Sequence, residues 1–134
     1  MKYLCLIYDD EKQWQKFPKE VQDQYMGEYG AFTESIKKSG QFIAANQLQP
    51  THASTVVRSR NGKVSTTDGP FAETKEQLGG YYLIEAKDLN EAIQIAARIP
   101  GAKTGSIEVR PIQVFDQETR TMAQGQTPAA AQAR

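Results

Sequence analysis

Few side chains in this 134-residue chain could carry acid–base chemistry. His52 is the single histidine, and histidine is the one side chain whose ordinary pKa lies near neutrality. It follows Pro50-Thr51 in a link between predicted strands. Asp68 opens the run Asp68-Gly69-Pro70-Phe71, where Pro70 fixes its own φ and holds Gly69 extended. An Asp here either bonds its own backbone two residues on, or stands at a pocket mouth where desolvation raises its carboxyl toward use as a base. Phe71 is expected to plug the loop into the core. Glu73, Lys75, Glu76 and Gln77 follow, either as a solvated helical turn pairing Glu73 with Gln77 or as a loop presenting Lys75 to an anionic ligand. Glu108 and Arg110 share one face of a strand whose other face carries Ile107 and Val109. A guanidinium there could grip a carboxylate or phenolate, or pair with Glu108 or a partner subunit. Tyr8 and Tyr82 are expected to reach the same side. The candidates are thus Asp68 and His52 for catalysis, and Arg110, Lys75, Phe71, Tyr8, Tyr82 and Glu108 for ligand contact.

Composition narrows the classes of function. One His and one Cys fall short of the about four N/S ligands of a structural zinc site, so neither a metal nor a cofactor is expected. Sixteen basic and sixteen acidic side chains cancel, and no segment is strongly basic, so no nucleic-acid partner is expected. Arg58, Arg60 and Lys63 flank Asn61-Gly62 and read as a charge-guarded hairpin edge. No stretch approaches the ~18 apolar residues of a membrane span. Cys5 sits in an apolar run as a small buried hydrophobe with no disulfide partner. The first residues lack a signal-peptide cleavage pattern, and a cytoplasmic location is expected.

The positioning elements follow from periodicity. Tyr3–Tyr8 and Gly80–Ala86 are apolar on both alternating sets and predict central strands. Val21, Tyr25, Tyr29, Phe32 and Ile36 form one helical stripe between Pro18 and Gly40. Strands are predicted at 41–48, at 55–60 and 63–67 around an Asn-Gly turn, and at 106–114. Asp88 and Glu91 resemble a capping box that opens a second helix with Leu89, Ile93 and Ala96 inward and Ala92 and Ala97 beside them. Residues 116–134 have little to bury and read as a low-complexity, mobile tail beyond a domain at 1–115. The order β α β (hairpin) β α β predicts a ferredoxin-like α+β sandwich with an inserted hairpin. Two helices cover only one sheet face, so a homodimer packing sheet against sheet is expected, with a cavity for a small molecule.

MKYLCLIYDDE at the start, LQPT at 48–51, TDGPFAETKEQLGGYYLIEA at 67–86 and GSIEVRPI at 105–112 resemble the DGPF (DGPFAETKE) group of the YCII-related proteins. The resemblance covers about residues 1–115 and implies a dimeric α+β barrel of ferredoxin-like subunits. It also implies two kinds of function. One is an enzyme, a lyase, isomerase or dehydrohalogenase-like protein acting on a small polar or aromatic substrate. Asp68 would be its base, Arg110 and Lys75 its anion holders, and Tyr8, Phe71 and Tyr82 its walls. A relative in the wider family removes chloride from a chlorinated hydroxyquinone with a His and an Asp. That His lies in the first helix, where residues 18–39 here hold none and Tyr29 stands about at its place. The alternative is a non-catalytic ligand-binding or accessory module, since many members of the group are encoded beside extracytoplasmic-function sigma factors. A structural dimer whose loop only completes the fold is the third reading.

Overall fold

The computed structural model describes residues 1–115; the tail expected at 116–134 lies outside the described residues. In chain order the elements are β1 (Lys2–Asp9), α1 (Glu11–Lys16), α2 (Lys19–Lys38), β2 (Phe42–Gln47), β3 (Thr55–Arg60), β4 (Lys63–Asp68), β5 (Gln77–Glu85), α3 (Leu89–Ala97) and β6 (Ser106–Pro111). Short 3₁₀ turns span Thr51–Ala53 and Pro100–Lys103. Four strands form one antiparallel sheet in the order β2-β5-β1-β6. The strands joined through α2 have β5 between them, and those joined through α3 have β1 between them, a split β-α-β arrangement. The result is an α+β fold with an open sheet and not a closed barrel. β3 and β4 form a separate two-stranded sheet, turned by Asn61 at φ 52° and Gly62 at φ 78° as the Asn-Gly signal requires. No described helix is long and apolar enough to cross a membrane.

The core lies between the sheet and the two longer helices. Tyr3, Cys5 and Ile7 of β1 and Tyr82 and Ile84 of β5 are buried against Phe32 and Ile36 of α2 and Ala92, Ile95 and Ala96 of α3. Ile107 and Val109 pack against this cluster from β6. The stripe of α3 follows expectation in part: Ala92 and Ala96 are buried, but Leu89 and Ile93 are about half exposed, Ala97 is exposed, and Ile95 takes the inner face. Both faces of this helix are apolar, so periodicity could not choose between them. Close docking does, because small Ala92 and Ala96 let the backbone approach the sheet. Asp88 caps α3 by accepting from Glu91 N–H at 2.8 Å, but the Glu91 carboxylate reaches Lys87 N–H at 3.0 Å, one residue before the reciprocal partner of a capping box.

Helix α1 was not anticipated. Asp10 opens it, accepting from Lys12 N–H at 2.9 Å and Gln13 N–H at 3.4 Å, with Glu11 in its first turn and Lys16 in its last. Those are favourable charges at both ends, but six residues are too few for a periodic signal.

Two tight places make testable demands. A Cβ at Gly105 would stand 2.0 Å from the Tyr8 carbonyl oxygen, so Gly105→Ala is expected to cost about 2–3 kcal/mol in denaturant unfolding, through displacement of β6 from β1. Burial pushes the Cys5 thiol from its ordinary 9.0 up to about 11. The folded state therefore keeps a proton that the unfolded chain loses above 9.0. This contribution to stability is complete below 9.0 and disappears as pH rises to about 11. A thiol reagent at mildly alkaline pH should leave native Cys5 unlabelled and react once the chain is unfolded.

Candidate functional site

The sheet face turned away from the helices carries the only convergence of predicted site residues among those described. Strand pairing sets Leu4 opposite Leu83 and Arg110, and Leu6 opposite Tyr81 and Glu108. All of these therefore share the open face, and Leu4, Leu6 and Leu83 are only half covered on it. Tyr8 donates its hydroxyl to Glu108 Oε1 at 3.2 Å. Arg110 grips Glu108 Oε2 with Nε at 3.1 Å and with Nη2. The Arg110 hydrogen bond, followed by its positive charge, holds the Glu108 carboxyl below the usual carboxylate range despite partial desolvation. Desolvation, then the Glu108 charge and hydrogen bond, pushes the Tyr8 phenol upward. The cluster is thus a protonated phenol, a carboxylate and a guanidinium beside an apolar floor. It is built to bind and orient; it holds no group suited to take a proton near neutrality.

Tyr82 does not join it. The alternation of β5 turns Gly80, Tyr82 and Ile84 inward, and Tyr82 packs edge-on to Phe32 at 5.1 Å with its hydroxyl 2.7 Å from Thr33 Oγ1. The neighbouring Tyr81 takes the open face instead and accepts from Asn46 Nδ2 at 2.8 Å. Sequence reasoning passed over Tyr81 because it cannot tell which alternating set of a doubly apolar strand meets the helices.

The loop after β4 also departs from expectation. Phe71 is 79% exposed, with the Arg58 guanidinium 5.8 Å above its ring, and does not plug the core. The chain has no helical turn over residues 69–76, and Gln77 already belongs to β5. Asp68 ends β4 opposite Thr55 and is exposed. The backbone bond that one of the two readings gave it is absent among the described residues, since the residue two on is Pro70, which has no N–H; Gly69 N–H, at φ 99°, donates to Ser54 O at 2.7 Å. Lys75 is exposed in the same loop, and His52 is exposed in the turn after β2. No hydrogen bond among the described residues links Asp68, His52 or Lys75 to the Tyr8–Glu108–Arg110 cluster.

Glu76 and Gln77 of the polar run, with Asp9 and Glu11, tie segments together. Glu11 accepts from Thr51 N–H at 2.9 Å and from Thr51 Oγ1 at 2.8 Å, and its own N–H donates to Gln77 Oε1 at 3.0 Å. Glu76 accepts from Ser106 Oγ at 2.9 Å, and Asp9 from Thr104 Oγ1 at 3.1 Å. Tyr29 lies in the helix layer, where burial pushes its phenol up to about 12, partly offset by a hydrogen bond from the Gly101 backbone. It is a neutral phenol at physiological pH and cannot stand in for a histidine base.

The electrostatics of the cluster are checked by carboxyl NMR. In wild type the Glu108 resonance is expected to titrate below the ordinary carboxylate range, and Arg110→Ala should return it to that range. The Glu108 contribution to stability is present above the ordinary carboxylate pKa and is lost as pH falls through the depressed one.

Comparison with known proteins gives this geometry a context. The family model of the YCII-related domain matches residues 1–116. An uncharacterized protein of Rhizobium meliloti (strain 1021) is 38% identical over 117 residues, spanning 86% of this chain and 94% of that protein. The solved 5-chloro-2-hydroxyhydroquinone dehydrochlorinase from Burkholderia phenoliruptrix AC1100, in complex with 2,5-dihydroxybenzoquinone, is similar with a TM-score of 0.50 and 15% identity, over 84% of this chain and 94% of its own. At that identity the likeness is one of fold. The family match over almost the whole described chain carries more: this protein belongs to the YCII-related domain family.

Proposed function

We propose that this chain is a small-molecule-binding protein that takes a phenolic, quinoid or carboxylate anion on the open sheet face. The observation that carries the reading is the Arg110 guanidinium at the border of an apolar floor, with Nε and Nη2 engaged by Glu108 and Nη1 free of any bond among the described residues. A planar anion can lie on Leu4, Leu6 and Leu83 while the guanidinium donates to its oxygens; the Tyr8 hydroxyl, with its one proton, reaches them only by turning away from Glu108. Ferredoxin-like subunits packing these faces together as a homodimer, a dimeric α+β barrel, would enclose the ligand and dry the ion pair. The enzyme form of the proposal uses Asp68 as base and Lys75 as a second anion contact, in a lyase-, isomerase- or dehydrohalogenase-like reaction. The dehydrochlorinase of similar fold, with its dihydroxybenzoquinone complex, supports testing that class of compound first. The non-catalytic form is a ligand-binding accessory module in sigma-factor-linked regulation. Burial of the free thiol Cys5 suits a reducing cytoplasm in either case.

Thermal shift and turnover with 2,5-dihydroxybenzoquinone, simple phenols and keto acids test this. A ligand at 100 times its Kd stabilises by about 2.7 kcal/mol, a rise on the order of 10 °C for a domain of this size. Arg110→Ala is expected to weaken binding at least tenfold, about 1.4 kcal/mol. Turnover that disappears in Asp68→Asn while binding persists assigns the enzyme form; binding without turnover in wild type assigns the accessory form. No stabilisation by any of these compounds at millimolar concentration overturns the reading.

A further inference from the structure

Strand pairing lays a rank of four side chains across the open face. Asn46 of β2 stands opposite Tyr81 of β5, Tyr81 opposite Leu6 of β1, and Leu6 opposite Glu108 of β6. Two residues along, Leu4 stands between Leu83 and Arg110. The face therefore has two polar borders with a leucine floor between them, Glu108 and Arg110 on one side, Tyr81 and Asn46 on the other.

The two borders differ in what they leave for a ligand. Tyr8 commits its one proton to Glu108. Tyr81 instead accepts from Asn46 Nδ2 at 2.8 Å, so among the described residues its own proton goes to no acceptor and Asn46 Oδ1 receives none. Turning the amide over exchanges the tasks: Tyr81 then donates to Oδ1, Nδ2 is left to donate, and the Tyr81 oxygen is left to accept. In either arrangement the pair offers one donor and one acceptor side by side. A hydroxyl group uses both, whereas a carbonyl or ether oxygen uses the donor alone.

Spacing restricts the ligand further. Tyr81 lies two strand spacings from Glu108, about 10 Å, and about 12 Å from Arg110, which is two residues further along. Strand side chains stand roughly perpendicular to the sheet, so their tips keep about this separation. Allowing a hydrogen bond of about 2.9 Å at each end leaves about 5 to 6 Å between the outermost oxygens of a ligand that touches both borders. One benzene ring with its hydroxyl and its anionic group on opposite carbons has that reach. Oxygens on adjacent carbons fall short.

We infer that Tyr81 and Asn46 are the specificity contact of this site and take the hydroxyl of an aromatic acid that is hydroxylated opposite its carboxylate. The inference rests on the reading proposed above, in which Arg110 holds the anion. NMR titration of the full chain with 4-hydroxybenzoate, 4-methoxybenzoate, 2-hydroxybenzoate and benzoate tests it, because all four acids present the same carboxylate to Arg110. In wild type 4-hydroxybenzoate should bind at least tenfold more tightly than the other three. Tyr81→Phe and Asn46→Leu should each weaken 4-hydroxybenzoate at least fivefold and leave benzoate unchanged, a split that general damage to the fold does not produce. Arg110→Ala should weaken both acids. The specificity contact alone is overturned if benzoate, the methoxy acid or the 2-hydroxy isomer binds as tightly as 4-hydroxybenzoate. It is also overturned if Tyr81→Phe weakens 4-hydroxybenzoate and benzoate equally, or if the preference survives both substitutions together. Failure of all four acids to bind at millimolar concentration overturns the ligand reading and this contact with it.

Discussion

The whole molecule answers to one packing constraint. β1 and β5 are neighbours at the centre of the sheet and carry apolar side chains on both faces, while the described residues supply helices for one face only. The covered side closes tightly, with Tyr3, Cys5, Ile36 and Ile84 at 2% exposure or less. Burial of such side chains is the main favourable term in folding. The opposite side keeps Leu4, Leu6, Leu83 and Tyr81 half covered, and it is bordered by a carboxylate and a guanidinium that pair with each other. An ion pair at the margin of an apolar surface is weak while wet and strengthens when water is excluded. What dries that face therefore decides how strongly the pair holds.

Other polar side chains hold segments together. Glu11, Thr51 and Gln77 tie the start of α1 to the link after β2 and the start of β5, three places far apart in the chain. Glu76 ties the loop before β5 to Ser106 at the start of β6. Two of these bonds satisfy backbone N–H groups, those of Glu11 and Thr51, where four segments meet beyond the ends of the strands.

Some features needed only local chemistry to read. The Asn61-Gly62 turn, the stop of α2 at Gly40, the Asp88 cap and the paired placement of Glu108 and Arg110 each depend on a few adjacent residues. Others failed for definite reasons. Helix α1 is too short to show a period. The inward face of α3 could not be picked because Leu89 and Ile93 are as apolar as Ile95. Phe71 was assigned to the core on hydrophobicity, yet it lies outside with a guanidinium over its ring.

By itself the sequence determined the six strands and the two longer helices, and hence that one sheet face would lack helical cover among the described residues. Those follow from side-chain period and backbone preference, which act over a few residues. Only the tertiary structure decided that Tyr81 and not Tyr82 faces outward, that Tyr8 meets Glu108 across a hundred residues, and that Asp68 stands away from both on a hairpin of its own. Strand register and inter-element docking set those relations, and they depend on contacts between segments distant in the chain, which no local pattern encodes.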